Sequence, residues 1–450
     1  MRIIIAGAGV VGTSLAEQLS NEGHQVSVID REKRVLQELG EKFDVLTLHG
    51  DACSDRILHR AGIKHTNMLI AVTDIDEVNL VLGLIAERNK VSRRVVRVRN
   101  QEYGLFSGVL PLAEFGIHNV INPEPVVVDS LLRMIEIPGC NDVSSLADGQ
   151  VQLLGFTVAS DSPMCGKSLA ELREVGDLNA FLILYINRGD ILMTPSGGTV
   201  LEEGDLIHIL ISSDTIGSLL PVVHHSPPKT DHVIIVGASR IGMALAEMLE
   251  DQIKFLFLVE ADPEKAEEAS LRLKKATVLQ GDPTDLDVLS EASLEECDLF
   301  CAVTDDDQVN MLASLLAKRH SHARTAVLVY HPEYVPVLDS LGVERVINPR
   351  LVTVSEILKH VRKGRVHSVT RVAESHHAEI IQLEAQVGSR IVGGKLKDIR
   401  FPKNAIIGGV LEDDTMHIPN GETQIKAGQR VFVFVLEQEI GTIEKLFGAY

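Results

Sequence analysis

Tryptophan is absent from the 450-residue chain, and aromatic residues make up only 4% of it. That leaves too few flat side chains for a base-stacking platform on single-stranded nucleic acid. Positive charge is in deficit as well: 43 Lys and Arg face 63 Asp and Glu, a formal net charge of −20, which disfavours a phosphate-backbone binder. Cysteine is sparse. The five residues at 53, 140, 165, 297 and 301 are odd in number and lack CxxC spacing, which argues against a disulfide framework or a structural zinc site. Long apolar runs are missing too. The candidates Phe181–Ile186 and Val431–Leu436 are strand-sized, well short of the roughly 18–20 residues that span a bilayer. The apolar start, Met1 to Ala6, runs straight into a glycine turn and is too short for a secretory h-region. These absences lead us to expect a cytoplasmic protein with no membrane span, no nucleic-acid partner and no metal site.

What the chain does contain is a copy of itself. Residues 2–12, RIIIAGAGVVG, are echoed by residues 232–242, HVIIVGASRIG. In the same order, Gly50-Asp51 meets Gly281-Asp282, Ala71 to Asp74 meets Ala302 to Asp305, and Asn79 meets Asn310. Val120 to Pro123 then meets Val346 to Pro349, so the partners stay about 230 residues apart throughout. The stretches between also pair: Gly166 and Leu169 with Gly393 and Leu396, and Pro195 and Gly204 with Pro419 and Gly428. The order is N1–C1–N2–C2, with expected domains 1–137, 138–223, 230–362 and 363–450.

In each N unit, short Val/Ile/Leu runs (2–6, 26–30, 45–48, 68–72, 95–98 and 119–121 in the first) alternate with helical patterns such as Val11, Leu15 and Leu19. Strands of that kind are buried on both faces, and the alternation predicts an α/β fold: a Rossmann-like doubly wound parallel sheet, present twice. The C units show strands near 151–158, 181–186, 191–193 and 206–211 separated by turn signals, which predicts a small α+β module after each Rossmann-like domain. Residues 138–150 read as a polar linker, and His224 to Lys229, with its paired prolines, as the joint between halves. The His224/His225 and His376/His377 pairs read as solvated linker, because adjacent residues do not share a helix face.

The first glycine cluster, Gly7-Ala8-Gly9-Val10-Val11-Gly12, follows an apolar strand and opens a helix. In that context Gly7 permits the tight turn, Gly9 lets the main chain approach a pyrophosphate, and Gly12 lets helix and strand pack closely. The helix N-terminus offers free N–H groups to the phosphates. Asp30 ends the second strand within the roughly 20-residue interval of the fingerprint. Its carboxylate suits ribose hydroxyls and repels a 2′-phosphate, favouring NAD(H) over NADP(H), although Arg31 and Arg34 stand nearby; the competing reading makes Asp30 a helix N-cap. Other strand ends should line the same crevice. Asp51 and Ala52 are placed to flank the adenine, Thr73 and Asp74 to meet the second ribose or the pyrophosphate, and Arg97 and Arg99 to reach a phosphate.

The second copy reads Gly237-Ala238-Ser239-Arg240-Ile241-Gly242, with Glu260 at the place of Asp30, Tyr330 at that of Arg99, and Asp282, Thr304 and Asp305 at the remaining strand ends. Ser239 crowds the pyrophosphate approach and Arg240 adds positive charge, so we expect two unequal sites, with ADP or ATP suiting the second. No Ser/His/Asp grouping and no HExxH is present, and Cys297 and Cys301 read as buried structural thiols. Fingerprints without a catalytic constellation favour a sensor over an enzyme, with an NAD-dependent oxidoreductase as the alternative.

The N1–C1–N2–C2 order, the GAGVVG turn with Asp30, AVTDIDEVN at 71–79, INPE at 121–124 and AVTDDDQVN at 302–310 together resemble the potassium-transport regulators built from tandem RCK (also called KTN) domains. The resemblance covers nearly the whole chain. It implies a regulatory subunit of a Trk-type potassium uptake system that binds NAD(H) and adenine nucleotides. It further implies a homo-oligomer, a tetrameric ring on the cytoplasmic face of the inner membrane, that controls a separate membrane-embedded potassium-translocating subunit; another cation transporter is the alternative partner. The family's nucleotide contacts carry over to Gly7 through Gly12, Asp30, Thr73, Asp74 and Arg99, and with less force to Arg240 and Glu260. Apolar stripes after each Asn-Pro, at Val127, Leu131, Leu132 and Ile135 and at Val352, Val354, Ile357, Leu358 and Val361, fit either a core face or a contact with another subunit.

Overall fold

The computed structural model describes residues 1–100, 103, 111–175, 181–189, 191–224, 229–361, 366–371, 378–402, 405–412, 415–436 and 439–448. His225, His376 and His377, and most of the joints they belong to, lie outside the described residues. The chain divides into two compact units, Met1–Val126 with Pro349–Arg362, and Val127–Asn348 with Lys363–Tyr450.

The first unit holds strands β1 (Arg2–Ala6), β2 (Gln25–Asp30), β3 (Leu46–His49), β4 (Met68–Ala71), β5 (Arg93–Arg97) and β6 (Asn119–Ile121). They form one parallel sheet in the order β3-β2-β1-β4-β5-β6. Strand order reverses between β1 and β4, so a crevice opens at their carboxyl ends. The apolar runs pack on both faces, as parallel strands require. Val11, Leu15 and Leu19 of helix Val10–Asn21 and Leu36 and Leu39 of helix Lys33–Lys42 fill one side. Ile57 and Leu58 of Asp55–Ala61 and Leu82 and Ala86 of Asp76–Arg88 fill the other.

The first side is completed by a helix from far along the chain, Pro349–Val361, whose Val354, Ile357, Leu358 and Val361 join the same core at no more than 2% exposure. Their i, i+3, i+4, i+7 spacing is one helical stripe, and each such side chain contributes about 1.5–3 kcal/mol on burial. Arg93, the first residue of β5, ties this helix down by donating from Nη1 to the Val361 carbonyl at 2.8 Å. The stripe is thus a core face within the chain.

Among the described residues the second unit contains three sheets. The strands β7 (Asp142–Leu146), β8 (Val151–Thr157), β9 (Phe181–Arg188), β10 (Ile191–Met193) and β11 (Leu206–Ser212) form an antiparallel sheet in the order β10-β9-β11-β8-β7. Strand β7 corrects the reading of 138–150 as a linker: Asp142, Ser144 and Ser145 made the segment look polar, but it pairs with β8 along its length. The strands β12 (His232–Val236), β13 (Phe255–Glu260), β14 (Thr277–Gln280), β15 (Leu299–Ala302), β16 (Arg324–Leu328) and β17 (Arg345–Ile347) repeat the Rossmann order, β14-β13-β12-β15-β16-β17. The strands β18 (Val366–Arg371), β19 (Ala378–Glu384), β20 (Ala405–Glu412), β21 (Thr415–His417) and β22 (Arg430–Leu436) repeat the small sheet as β18-β19-β22-β20-β21. The two small sheets share one core in which Leu153, Leu184, Tyr185 and Leu210 meet Ile380, Leu411, Phe432 and Phe434. The Tyr185 and Phe434 rings stack there with centroids 5.0 Å apart.

Arginines brace this unit from within. Arg324 opens β16 as Arg93 opens β5, and it too grips main-chain carbonyls, donating to Met134 O in the last turn of helix Pro123–Glu136 at 2.8 Å and to Cys140 O beyond it at 3.2 Å. Arg345 pairs with the buried carboxylate of Asp142 and reaches Ser130 Oγ at 3.2 Å. Among the described residues no helix is long and apolar enough to cross a membrane.

Candidate nucleotide site

In the first unit the glycine turn sits at the end of β1, beside the reversal of strand order. Gly7 has φ +106°, and a Cβ there would stand 3.0 Å from Thr73 N, so the position favours glycine on both counts. Gly12 is more constrained still: a Cβ would lie 1.8 Å from the Gly7 carbonyl oxygen. Gly9 is different. A Cβ on it would meet nothing within 4 Å, so the main chain at Gly9 faces the open crevice. Helix Val10–Asn21 has Gly9 as N-cap without a side-chain capping bond, which leaves its first-turn N–H groups to an incoming anion. Ala8 and Val11 are buried and face the core, so what they offer the crevice is backbone, while Val10 is partly exposed.

Asp30 ends β2 with its carboxylate already held. Oδ2 accepts from Ala8 N at 2.5 Å and Oδ1 from Glu32 N at 2.8 Å. It is not a helix N-cap, because the N-cap of the following helix is Glu32. Two bonded N–H groups leave a carboxylate with further lone pairs for ribose hydroxyls. The Gly50 N–H donates to the Asp30 carbonyl at 2.8 Å, which sets Asp51 next to Asp30. Asp51 pairs with Arg31 at 2.6 Å, and the Cys53 amide together with Arg31 holds its carboxyl below the usual range. Arg31 is thereby engaged by a carboxylate. Ala52 lies under this loop in the core with Ile29, Leu48 and Leu58.

Thr73, Asp74, Arg97 and Arg99 converge as one cluster. Arg97 is buried and donates from Nη2 to Thr73 O at 2.8 Å and to Asp74 Oδ1 at 2.9 Å. Burial pulls its guanidinium below the usual arginine range, against the opposing bond to Asp74. Arg99 Nη2 reaches the Asp74 carbonyl at 2.5 Å, so both arginines face residue 74.

Two residues behind this cluster escaped functional assignment from sequence. Asn79 is fully buried and spends its whole amide on the loop. Its Oδ1 accepts from Thr73 N at 2.9 Å and Thr73 Oγ1 at 2.7 Å, and its Nδ2 donates to Thr73 O at 2.9 Å and Arg97 O at 3.0 Å. Asp76 Oδ2 accepts from the Arg99 and Asn100 amides, both at 2.9 Å. The signal was in the repeat: Asn79 and Asn310, and Asp76 and Asp307, recur in matching places. Asn310 makes the same four bonds, to Thr304 N, Oγ1 and O and to Leu328 O, and Asp307 accepts from the Tyr330 and His331 amides.

The second unit builds the site again at the end of β12. Gly237 has φ +101° and a Cβ on Gly242 would lie 2.0 Å from Gly237 O. Glu260 folds its longer side chain so that Oε2 accepts from Ala238 N at 2.6 Å and Oε1 from Asp262 N at 2.9 Å. Ser239 takes the N-cap of helix Arg240–Leu249. Ile241 is buried and Arg240 exposed. Asp282 binds Thr284 rather than an arginine, and Asp305 is exposed. Cys297 and Cys301 lie in the interior, and burial pushes both thiols up to about 12.

Comparison with known families follows the same fourfold division. The model for the TrkA-N domain matches residues 3–123 and 233–349, and that for the TrkA-C domain matches 153–223 and 380–448. The chain belongs to the TrkA family. Among TrkA relatives, the Trk system potassium uptake protein TrkA of Azorhizobium caulinodans is 34% identical over 99% of this chain and 98% of its own length. A TrkA homolog from Archaeoglobus fulgidus is 32% identical over 99% of this chain and 100% of its own. Among solved structures, the GsuK RCK domain superposes with a TM-score of 0.62 at 20% identity, covering 99% of this TrkA-family chain and 94% of that one. The GsuK channel bound to NAD gives 0.63 at 19% identity, covering 99% and 78%. At those identities the agreement is one of fold.

Proposed function

We propose that this chain is a nucleotide-sensing regulatory subunit of a Trk-type potassium uptake system. The observation that carries the reading is the double construction of one site: a glycine turn, a helix N-terminus and a strand-end carboxylate bonded to the turn, at the same switch point in two sheets of a chain aligned end to end with named TrkA proteins. NAD(H) occupies the first site, with its diphosphate over Gly9 and the first turn of Val10–Asn21, a ribose on Asp30, and Thr73, Asp74, Arg97 and Arg99 forming the wall. ADP or ATP occupies the second, at Gly237–Gly242, Glu260, Asp282, Thr304 and Asp305. Nucleotides act by binding one conformation more tightly than another and so shifting their populations. The subunit assembles as a homotetrameric ring on the cytoplasmic face of the inner membrane and gates a membrane-embedded potassium-translocating partner, without catalysing a reaction.

The test has two arms. Calorimetric titration of the full chain should show NADH and ADP binding, with Asp30→Asn weakening NADH about tenfold through loss of a charge-assisted ribose contact. Deleting the gene while keeping the membrane partner should reduce potassium uptake. Unchanged uptake defeats the reading, and steady consumption of NADH with a substrate would favour an oxidoreductase instead.

A further inference from the structure

The two glycine turns differ at three positions, and at one of them, Gly9 against Ser239, the change alters the space above the turn. Gly9 (φ −66°, ψ −174°) and Ser239 (φ −65°, ψ 170°) have nearly the same backbone. A Cβ on Gly9 meets nothing within 4 Å, so the Cβ of Ser239 fills space that is open crevice in the first site. Its hydroxyl then turns back into the loop, donating to the Val303 carbonyl at 2.6 Å and accepting from Gly242 N at 3.2 Å. A methylene thus stands where a phosphate would rest, and one first-turn helix N–H is consumed by the protein itself. Leu328 and Tyr330 stand where the first site has Arg97 and Arg99, but the rest of the frame around the turn is shared. The strand-end carboxylates bind Ala8 N and Ala238 N at 2.5 and 2.6 Å, and Asn79 and Asn310 hold identical sets of bonds.

We propose that Ser239 is the specificity determinant of the second site, closing it to dinucleotides and reserving it for adenosine mononucleotides that end in a free phosphate. This rests on reading both turns as nucleotide sites. The diphosphate of a dinucleotide is tethered at both ends by a nucleoside, so it must lie directly over the turn, where it needs the space and the N–H that Ser239 takes. The chain of phosphates in ADP or ATP is tethered at one end only. Its free end can shift outward towards exposed Arg240, on the first helical turn, and keep its charge compensated.

Titration of full-length protein with NADH and with ADP tests this. Gly9→Asp silences the first site, and adding Ser239→Gly to that variant should raise NADH affinity at the second by about ten- to a hundredfold, the worth of one recovered hydrogen bond to a charged group. Ser239→Ala, which frees Gly242 N but keeps the methylene, should gain less. In the otherwise unaltered chain, Gly9→Ser should lower NADH affinity at the first site by a similar factor while ADP binding at the second stays unchanged. Absence of either the gain or the loss, or tight NADH binding by Gly9→Asp alone, overturns the assignment of Ser239 in a chain that still binds ADP. If the unaltered chain binds neither ligand, the nucleotide-site reading fails, and this inference with it.

Discussion

Replacing Asn79 with alanine should unlock the loop that walls the first site. The side chain makes four hydrogen bonds, three of them to main-chain groups: Thr73 N, Thr73 O and Arg97 O. Thr73 Oγ1 retains an alternative acceptor in the Ile75 carbonyl at 3.2 Å, so the hydroxyl is not orphaned. Thr73 O likewise keeps its Arg97 Nη2 donor at 2.8 Å, so the main-chain groups left without a side-chain partner are Thr73 N and Arg97 O. Leaving a buried polar group unpaired costs about 1–3 kcal/mol, and entry of water into the truncated space holds the sum for these two groups in the lower half of the combined range, at about 3 kcal/mol. The cost falls locally, on the strand end that presents Thr73 and Asp74. Native-state hydrogen exchange is therefore the sharpest assay: protection of the Thr73 amide should fall by about a hundredfold, with the amides of β1 much less affected. NADH affinity should weaken in parallel. Asn79→Asp should not rescue either effect, because a carboxylate keeps the two acceptor contacts but sets oxygen against the Thr73 and Arg97 carbonyls. Unchanged protection at Thr73 in Asn79→Ala would refute the claim that this amide holds the loop.

Three further outcomes are expected. Gly12→Ala should abolish NADH binding and lower the melting temperature, since its methyl would stand 1.8 Å from the Gly7 oxygen; a melting curve matching the unaltered chain would contradict the packing described. Asp142 gives a signed pH dependence. Burial pushes its carboxyl up, but Arg345 and His208 prevail and hold it below its ordinary 3.8. A depressed native pKa means that the stability it contributes is present above about pH 3.8 and disappears as pH falls through the lower native value. Acid unfolding of Asp142→Asn should therefore lose part of the stability difference between pH 5 and pH 2 seen in the unaltered chain, and an identical profile would count against the pair. Finally, burial raises the thiols of Cys140, Cys297 and Cys301 to about 12, so near neutral pH a thiol reagent should label partly exposed Cys53 and Cys165 well before these three, as peptide mapping will show.

Much of this was legible in the amino-acid order. Alternating apolar runs placed all six strands of the first parallel sheet within two residues of where they lie, because strands buried on both faces leave a dense signal. The turn glycines were legible because backbone geometry demands them. What stayed hidden depends on partners distant in sequence. Strand β7 was hidden because Asp142 faces Arg345 rather than water, so its polarity misled. The stripe from Val354 to Val361 announced burial but not its location. Asn79 was visible as a repeated letter, yet its role requires its helix to meet two strand ends in space. Ser239 was read as an obstruction, and only the bonds of its hydroxyl reveal that it also removes a donor.

The helix Pro349–Val361 sets a schedule for synthesis. The first parallel sheet is complete at Ile121, yet one of its faces is covered by side chains that come roughly 220 residues after Val126. At about 5–20 residues per second, a ribosome needs roughly 10 to 45 s to supply them. Throughout that interval the nascent N-terminal half carries an apolar strip around Leu15 and Leu19 that still lacks the cover supplied by Val354, Ile357, Leu358 and Val361. A gene cut between its two halves would make that interval permanent.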